Sequence, residues 1–521
     1  MHQNNNNTTG IIKSGFHLAL IALYGTENDG VRYLAAHLKR AGYRVSTIFF
    51  KEWRNNANER PTDKEVNLLV NLLKKLNPDL IGLSFISSFL CIARDLTEKI
   101  KEEIETPILW GGIHATTAPE ECLEHADYVC LGEGEGPLLD LVTALSEGET
   151  GENIENIWLK KDGEIRKTPS RMLIQDLDTL PHPDHSSEEK YLIDSNKVIE
   201  GEPLLAGVEY RIYASRGCPY ACSYCYNSIL RRIYKGKGKY FRFRSPEHVI
   251  EELESAKEIF PRIRRVKVDD DTAFAFGKEW VVKFCKLYKE KIGIPFECLI
   301  HPHLLKEDVL HLLKDAGLIK VQVGIESASE SEMTEIFKRA PGNKQIMEFA
   351  ELNKELKIEV VYDVIIDNPL ATEEDKKALF DFLMELPGPY RLYLYSLVIF
   401  PGTELAKDML EQGLITEDDI EGKNTKAWRQ FRVSLDYPRS KEDIYWLSLV
   451  LLVSKGFIPR FFVKWLSQNK YFKKNPGPLF FFSKVCNLFR MAQIGFEMLF
   501  NGELTFFKLR QYGSLSKLIS Q

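Results

Sequence analysis

The stretch that decides the fold and the chemistry of this chain is residues 210–227, which read YRIYASRGCPYACSYCYN. An apolar run, Tyr210–Ala214, predicts a strand, and Cys218, Cys222 and Cys225 follow it within a few positions. A loop after a strand can wrap three thiolates around one metal centre, and thiolates in such numbers favour an iron–sulfur cluster or zinc. Three ligands leave one iron of a cubane cluster open, so a small molecule with an amine and a carboxylate can chelate it.

Two other interpretations of the cysteines stay open. A structural zinc site needs a fourth ligand nearby, and the nearest downstream histidine, His248, lies in what reads as the start of a helix. A thioredoxin-like pair of Cys222 and Cys225 requires a thioredoxin fold and leaves Cys218 unexplained. The zinc interpretation therefore lacks a nearby fourth ligand, and the thioredoxin-like one leaves a cysteine over.

Downstream of the cysteines, short apolar runs alternate with helical stretches. Six such βα units predict a partial TIM-type (β/α)6 barrel over residues 210–405, with its active site at the carboxyl ends of the strands. The predicted strands are Tyr210–Ala214, Arg265–Val268, Phe296–Ile300, Val321–Ile325, Glu359–Ile366 and Leu392–Ile399.

Upstream, residues 16–147 also alternate between strands and helices. Continuous apolar strands separated by helices indicate a parallel sheet covered on both faces, so we predict a doubly wound, Rossmann- or flavodoxin-like α/β domain. Its ligand should lie beyond the carboxyl ends of the strands. The predicted strands are His17–Tyr24, Tyr43–Phe49, Asp79–Phe85, Pro107–Trp110 and Tyr128–Leu131, and the first three helices lie near Gly30–Ala41, Lys64–Leu76 and Ala93–Ile104.

Three further segments complete the predicted organisation. Residues 1–15, rich in Asn and Thr, read as a disordered lead-in without the features of a signal peptide. Residues 148–209 read as a linker with a hairpin that turns at Asp162-Gly163. Residues 406–521 read as a helical, basic, Phe-rich C-terminal region.

Bulk composition narrows the class of protein. The 521 residues are 44% hydrophobic and 28% charged with a net charge of −6, which is typical of globular proteins and argues against binding of nucleic acid along the whole chain. No apolar run reaches the roughly 18 residues that a membrane-spanning helix needs. Nine cysteines, an odd number, fit a reducing cytoplasm and a metal site better than a disulfide framework. We therefore expect a cytoplasmic protein.

The cysteine motif, with Tyr224 before its last cysteine and its place after the first strand of a βα barrel, resembles the radical S-adenosylmethionine (SAM) superfamily. Further segments are similar to the branch that carries an N-terminal cobalamin-binding domain. They are WGGIHA at 110–115, LGEGEG at 131–136, DLDTLP at 176–181, GIES at 324–327 and PGTEL at 401–405. The likeness covers about residues 16–410 and leaves the tail outside it.

The resemblance implies a [4Fe-4S] cluster on Cys218, Cys222 and Cys225 whose open iron binds SAM. Reductive cleavage then yields methionine and a 5′-deoxyadenosyl radical that abstracts hydrogen from an unactivated carbon. Asp270 and Asp271 stand where family members contact the SAM ammonium group, and a carboxylate suits a cation. Glu326 is a candidate for hydrogen bonds to the amine or ribose of SAM.

Ordinary structural roles compete with these assignments. The run 269–271 can be a solvated turn, since Asp favours turns. Glu326 can be a carboxylate at a helix N-terminus.

The resemblance also implies cobalamin. Ser84, Gly111 and Gly112 match positions where the family lets a nucleotide tail lie against backbone, which glycine permits because it lacks a Cβ. The loop Tyr24–Gly30 contains no histidine. Either cobalamin binds without a protein histidine on cobalt, or the domain kept the fold and lost the cofactor. The glycines can also be those of an ordinary βα turn.

Three functions follow for testing. The first is a radical SAM methyltransferase that transfers methyl from cobalamin to an unactivated carbon. The second is a radical SAM cyclase, rearrangement or oxidation enzyme without methyl transfer. The third, of another class, is a non-catalytic cobalamin- or metal-binding regulatory module. The family chemistry implies a small-molecule or lipid-like substrate and a low-potential flavodoxin or ferredoxin as electron donor.

The tail 455–521 carries eleven Lys and Arg against two Glu and is crowded with Phe. Apolar rings among basic residues suit anionic lipid, so we predict peripheral contact with the inner face of the membrane. The alternative is a helical cap whose Phe side chains pack on the barrel. No RNA-binding module is recognisable in the tail, so no nucleic acid is expected.

Overall fold

The computed structural model describes residues 15–52, 59–161, 163–304, 306–416 and 439–500. It divides into two compact units. Among the described residues, the first contains 15–52, 59–205 and 232–239, and the second contains 206–231 and those from 240 onward. The predicted lead-in, except Gly15, lies outside the described residues, as do Asp162 and the parts of the C-terminal region at 417–438 and 501–521.

The first unit is built on one nine-stranded sheet. Its strands are β1 (His17–Leu23), β2 (Arg44–Phe50), β3 (Leu80–Ser84), β4 (Ile108–Gly111), β5 (Tyr128–Cys130), β6 (Ile157–Lys161), β7 (Glu164–Arg166), β8 (Lys190–Asp194) and β9 (Lys197–Glu200). Its helices are α1 (Asp29–Arg40), α2 (Asp63–Leu76), α3 (Leu90–Lys101), α4 (Ile113–Thr117), α5 (Pro119–Cys122) and α6 (Glu135–Ser146).

The strand order is β7-β6-β5-β4-β3-β1-β2-β8-β9, and β5 to β2 are mutually parallel. Every side chain of β1 is buried, as expected for a strand covered on both faces. The predicted doubly wound sheet is therefore confirmed. Because the chain order reverses between β1 and β3, the crevice at their carboxyl ends is where such a sheet binds its ligand.

Sequence signals fix the ends of the helices. The Asn28 side chain caps α1 by accepting the Val31 N–H, and Thr62 and Glu65 form a reciprocal capping box on α2. The third helix begins at Leu90, three residues before the predicted start, because a 3-10 turn over Ser87–Phe89 leads directly into it.

The segment 148–209 holds more sheet than the single predicted hairpin. β6 and β7 form that hairpin at one edge, and a second hairpin, β8–β9, adds β8 in parallel to β2 at the other. Lys190 and Asp194 give β8 a polar sequence, yet both are buried. Glu202 lies 2.9 Å from the Lys190 ammonium group and Lys51 lies 3.5 Å from the Asp194 carboxylate, so each buried charge has a partner.

The second unit is built on six parallel strands in the order β10-β13-β14-β15-β16-β17, which confirms the partial barrel. These are β10 (Glu209–Ile212), β13 (Arg265–Val268), β14 (Phe296–Ile300), β15 (Leu318–Glu326), β16 (Glu359–Ile366) and β17 (Arg391–Ser396); β11 (Ser215–Arg216) and β12 (Arg242–Phe243) form a short antiparallel pair. The helices are α7 (Tyr226–Ile233), α8 (Pro246–Ile259), α9 (Lys278–Leu287), α10 (Glu307–Ala316), α11 (Asn343–Leu356), α12 (Glu373–Glu385) and α13 (Glu404–Glu411).

The C-terminal region is helical, as predicted, within its described residues. It contains α14 (Lys441–Val453), α15 (Arg460–Gln468), α16 (Lys470–Lys474) and α17 (Gly477–Phe500). Leu447 and Leu451 of α14 pack against Ile366 and Leu394 of the barrel strands. None of the helices in the described part of the chain is long and apolar enough to cross a bilayer.

Candidate active site at the carboxyl edge of the barrel

The cysteine loop leaves β11 at Gly217 and enters α7 at Tyr226. Gly217 has φ +79°, and a Cβ there would lie 2.6 Å from the Tyr240 carbonyl oxygen, so the turn requires glycine. Ser223, fully buried, fastens the middle of the loop: its N–H donates to Phe337 O (2.9 Å) and its hydroxyl to Ile336 O (2.6 Å). The loop is thus held to the segment that follows β15.

The predicted cluster ligands all lie on this loop as free thiols, Cys222 buried and the other two half-buried. All nine cysteines fall among the described residues, and none forms a disulfide. Burial raises the pKa of Cys218 to about 12 and that of Cys225 to about 11. Iron binds thiolates, so cluster assembly must release these protons.

The donor set fits a cubane cluster chemically, since three free thiols are offered by one anchored loop. In the described part of the chain, no three His, Cys, Asp or Glu side chains are grouped so that they could hold a metal ion. A cubane makes a different demand, because each of its cysteine ligands binds a different iron.

Asn227 connects the cysteine loop to the segment that follows β13. Its amide nitrogen lies 3.6 Å from Cys225 Sγ and donates to Asp271 Oδ2 at 3.0 Å, while its amide oxygen accepts the Tyr240 hydroxyl at 2.5 Å. The Asp271 side chain is accessible to solvent. Protein atoms nevertheless surround part of its carboxylate, and this partial desolvation raises its pKa. A carboxylate is therefore available beside the cluster loop.

Asp270 occupies a different environment from its neighbour. Its Oδ1 accepts the N–H and hydroxyl of Ser215 at 2.7 and 2.8 Å, which supports the strand that leads into the cysteine loop. Its Oδ2 is buried and has no hydrogen-bond partner among the described residues. Burial raises the pKa of Asp270 to about 7. Of the two carboxylates, Asp271 is the better placed to meet a solvent-borne cation.

Glu326 ends β15 at a bulge with φ +61°, and no helix begins there. Its Oε1 lies 3.1 Å from Nη1 of Arg339, whose Nη2 donates to Gly324 O at 2.9 Å. Burial raises the pKa of Glu326 although Arg339 opposes the shift. A Cβ on Gly324 would lie 2.3 Å from the Glu326 carboxylate, so glycine makes room for this ion pair.

Arg339 is a site residue that sequence reasoning missed. Besides Glu326 it contacts the Tyr224 hydroxyl at 3.4 Å, so it links the fourth barrel strand to the cysteine motif. Its local sequence, Lys338-Arg339, is typical of a solvated surface, and no short-range pattern marks it.

Ser84, Gly111 and Gly112 meet at the carboxyl edge of the first sheet. Phe85 N–H donates to Gly111 O at 3.3 Å, and Gly112 has φ +96°. A Cβ on Gly112 would lie 2.6 Å from Phe85 O, so the backbone packing at this junction itself requires glycine. A Cβ on Gly111 would instead lie 4.0 Å from the nearest non-adjacent atoms, Cys130 Cβ and Leu83 O. Gly111 therefore leaves backbone that a ligand can approach.

Residues 212–383 match the model of the radical SAM superfamily, and residues 22–142 match that of the B12 binding domain. The first range contains the whole of β13 to β16 of the barrel, and the second contains the whole of β2 to β5 of the nine-stranded sheet.

Named relatives agree with these matches. An uncharacterized methyltransferase of Pyrococcus horikoshii is 28% identical over 370 residues, 70% of this chain and 74% of that protein. The anaerobic magnesium-protoporphyrin IX monomethyl ester cyclase of Rubrivivax gelatinosus is 30% identical over 318 residues, 58% of this chain but only 52% of the cyclase. The structure of the radical SAM methyltransferase TsrM of Kitasatospora setae superposes with a TM-score of 0.60 at 20% identity, covering 76% of each chain, a likeness of fold.

Proposed function

Because the chain carries a radical SAM domain behind a B12-binding domain, we propose that it reductively cleaves SAM at a [4Fe-4S] cluster on Cys218, Cys222 and Cys225. The radical so formed serves cobalamin-dependent methylation of an unactivated carbon. The observation that carries the proposal is the anchored loop of three free thiols at the carboxyl edge of a six-stranded parallel sheet. The substrate is a small molecule, and one-electron reduction of the cluster calls for a low-potential donor of the flavodoxin or ferredoxin type.

The side chains around the loop suit the two ends of SAM. Asp271 offers its carboxylate to the ammonium group, and Asn227 fixes that carboxylate at 3.0 Å. Glu326, oriented by Arg339, is a hydrogen-bond acceptor for the amine or a ribose hydroxyl. Asp270 contributes by holding Ser215, and its Oδ2, which no described residue pairs with, offers a second acceptor.

Replacing Asp271 with Asn is expected to weaken SAM binding about tenfold, the effect of losing a hydrogen bond to a charged group. The matched control is D269N, because Asp269 already pairs with Lys267 at 2.6 Å and Arg211 at 3.3 Å. Equilibrium binding of SAM to the cluster-loaded protein measures both variants. If D269N and D271N bind SAM with equal affinity, Asp271 does not contact SAM.

For cobalamin, we propose that the nucleotide tail lies against Ser84, Gly111 and Gly112. The support is the open backbone at Gly111 and the position of these residues at the edge where β1 and β3 diverge. His114 lies in the same region, but its ring is buried and its Nδ1 is 3.0 Å from the Ser87 hydroxyl. Cobalamin bound without a protein histidine on cobalt is therefore the arrangement we propose.

The second candidate function is radical cyclisation or oxidation without methyl transfer, favoured by the 30% identity to a cyclase. Anaerobic reconstitution with iron, sulfide and cobalamin, followed by reduction with SAM, separates the candidates. Methylation predicts stoichiometric cobalamin and both 5′-deoxyadenosine and S-adenosylhomocysteine as products. Formation of 5′-deoxyadenosine without S-adenosylhomocysteine selects the second function. No cleavage of SAM at all would leave a non-catalytic binding module.

We also propose that the C-terminal region rests on an anionic membrane surface. Four phenylalanines of α17 are strongly exposed, Phe481 by 70%, Phe489 by 69%, Phe496 by 63% and Phe500 by 85%. Their spacings of eight, seven and four residues place them within about 100° of one another around the helix, on a different side from the buried Leu479, Ser483 and Cys486. Exposed apolar stripes of this kind mark interaction surfaces.

Charge supports lipid as the occupant of this face. Residues 455–500 hold eight Lys and Arg against Glu497 alone, and Lys464, Lys470 and Lys474 are exposed. Basic residues beside apolar rings suit the anionic inner face of the cytoplasmic membrane. A lipid-like substrate would be reached from the same surface.

The double variant F489S/F496S is expected to lose at least about tenfold in partitioning to phosphatidylserine vesicles, because each buried Phe contributes about 1.5–3 kcal/mol. Vesicle flotation of the full chain measures this, with M172S/L414S as the control, since Met172 and Leu414 are 58% and 50% exposed elsewhere. Equal flotation of the two variants would contradict the proposal. Loss of self-association instead of flotation would assign the face to a second copy of the chain.

A further inference from the structure

His301 directly follows β14, the third barrel strand, and is only 5% exposed. Its backbone N–H donates to the buried Thr272 hydroxyl at 3.2 Å, which ties it to the segment after Asp271. Its ring stacks on Tyr220, with centroids 3.7 Å apart and planes 17° apart. Tyr220 lies between Cys218 and Cys222, so the imidazole packs against the cysteine loop itself.

Hydrogen bonding determines the tautomer of this ring. Nδ1 accepts the backbone N–H of His303 at 3.3 Å. Burial, aided by the charge of Arg339, lowers the pKa of His301 to about 3, so the ring is neutral. A neutral imidazole whose Nδ1 accepts carries its proton on Nε2. His301 therefore presents an Nε2–H donor.

That donor has no partner among the residues that the structure describes. Nε2 is buried and makes no hydrogen bond to any described residue. Leaving a buried donor unpaired costs about 1–3 kcal/mol, so such groups are rare unless a ligand, water or function explains them. No residue in the described part of the chain supplies an acceptor, so a group that enters with the loaded site can do so.

We propose that His301 is a positioning residue whose Nε2–H donates to an acceptor that arrives with the loaded site, a sulfur of the cluster or an oxygen of SAM. This inference rests on the proposed function and adds a residue to its site. Stacking on Tyr220 directs the ring to the part of the loop between two cluster ligands, which favours sulfur. Hydrogen bonds to cluster sulfurs stabilise the reduced state and raise the reduction potential.

The test compares H301F with H301Q in the cluster-loaded full chain. Phenylalanine keeps a flat ring for Tyr220 but removes the N–H, whereas glutamine keeps a donor. EPR-monitored titration without SAM is expected to show reduction of H301F disfavoured about tenfold, which is about 59 mV for one electron, with H301Q close to wild type. A sulfur acceptor leaves the SAM affinity unchanged; an oxygen of SAM as acceptor instead leaves the potential unchanged and weakens SAM binding about tenfold in H301F only.

The proposal is overturned if H301F matches wild type in both potential and SAM affinity, which would mean that a water satisfies Nε2. Iron and sulfide content shows whether each variant has folded around a cluster. Failure of the wild-type chain to assemble a cluster would instead count against the proposed function, so the two failures are distinguishable. If H301F does not hold a cluster, the SAM affinity and the cluster reduction potential of H301Q decide the question. Wild-type values in H301Q support a hydrogen-bond donor at this position, and altered values refute it.

Discussion

Replacing Cys218, Cys222 or Cys225 singly with Ala is expected to abolish formation of 5′-deoxyadenosine. In the proposed cluster each thiolate holds a different iron, so loss of one would open a second iron and destabilise the cluster. Without the cluster, the reductant has no route to SAM. The loss should reach at least about a millionfold, the lower range of enzymatic accelerations. Anaerobic product assay together with iron and sulfide content measures the effect.

Cysteines away from the loop provide the control. C285A and C486A remove thiols that are also buried, 6% and 5% exposed, but that lie on α9 and α17. Both should keep full iron content and activity, although each leaves a small cavity. Equal iron loss in C285A and C222A would mean that the cysteine loop has no special role.

Replacing Glu202 with Gln is expected to destabilise the first unit by about 3–5 kcal/mol, the range for breaking a buried ion pair from one side. The Glu202 carboxylate accepts from Nη1 and Nη2 of Arg32, at 2.6 and 2.8 Å, and from Lys190 Nζ at 2.9 Å. All three side chains are 0% exposed. E202Q therefore removes the carboxylate that pairs with Arg32 and leaves Lys190 with only the Asp184 carboxylate, 3.5 Å away.

Hydrogen exchange of peptides from α1 and β8 measures this loss, since Arg32 and Lys190 lie on those elements. The control is D315N, whose pair with Lys289 is 2.8 Å long but 58–70% exposed and should change stability by less than about 1 kcal/mol. Equal exchange in E202Q and wild type would show that the network does not stabilise the unit.

The pH dependence of this network has a definite sign. Burial alone would raise the pKa of Glu202, but His185, Arg32 and Lys190 lower it well below its usual range. A depressed carboxylate pKa stabilises the folded state above the unfolded value of about 4.5, and the stabilisation is lost as the pH falls. The difference between E202Q and wild type should therefore shrink below about pH 4.5.

The regular part of the fold could be predicted because the strands of a parallel sheet are buried on both faces. Such strands are apolar along their whole length and stand out in the sequence as continuous apolar runs. Arg265–Val268, Phe296–Ile300 and Glu359–Ile366 have the bounds expected from sequence. β8 escaped prediction because Lys190 and Asp194 make it read as a polar linker. Partners distant in sequence neutralise those charges, and no local pattern reveals such partners.

The residues of the candidate site also divide into those that a local sequence pattern marks and those that it does not. The cysteines could be proposed as cluster ligands from sequence because their ligand chemistry depends on spacing within one loop. Arg339 and His301 could not, because each acquires its role from contacts across the barrel, to Tyr224 in one case and Tyr220 in the other. The proposed SAM contacts of Asp270, Asp271 and Glu326 and cobalamin contacts of Ser84, Gly111 and Gly112 await the binding measurements.

Mössbauer spectroscopy of the chain reconstituted with 57Fe, before and after addition of SAM, tests the central claim most directly. Three cysteine ligands predict one [4Fe-4S] cluster per chain in which a single iron changes its spectrum when SAM binds. Four irons that ignore SAM, or failure to assemble any cluster on the intact loop, would contradict the assignment of Cys218, Cys222 and Cys225.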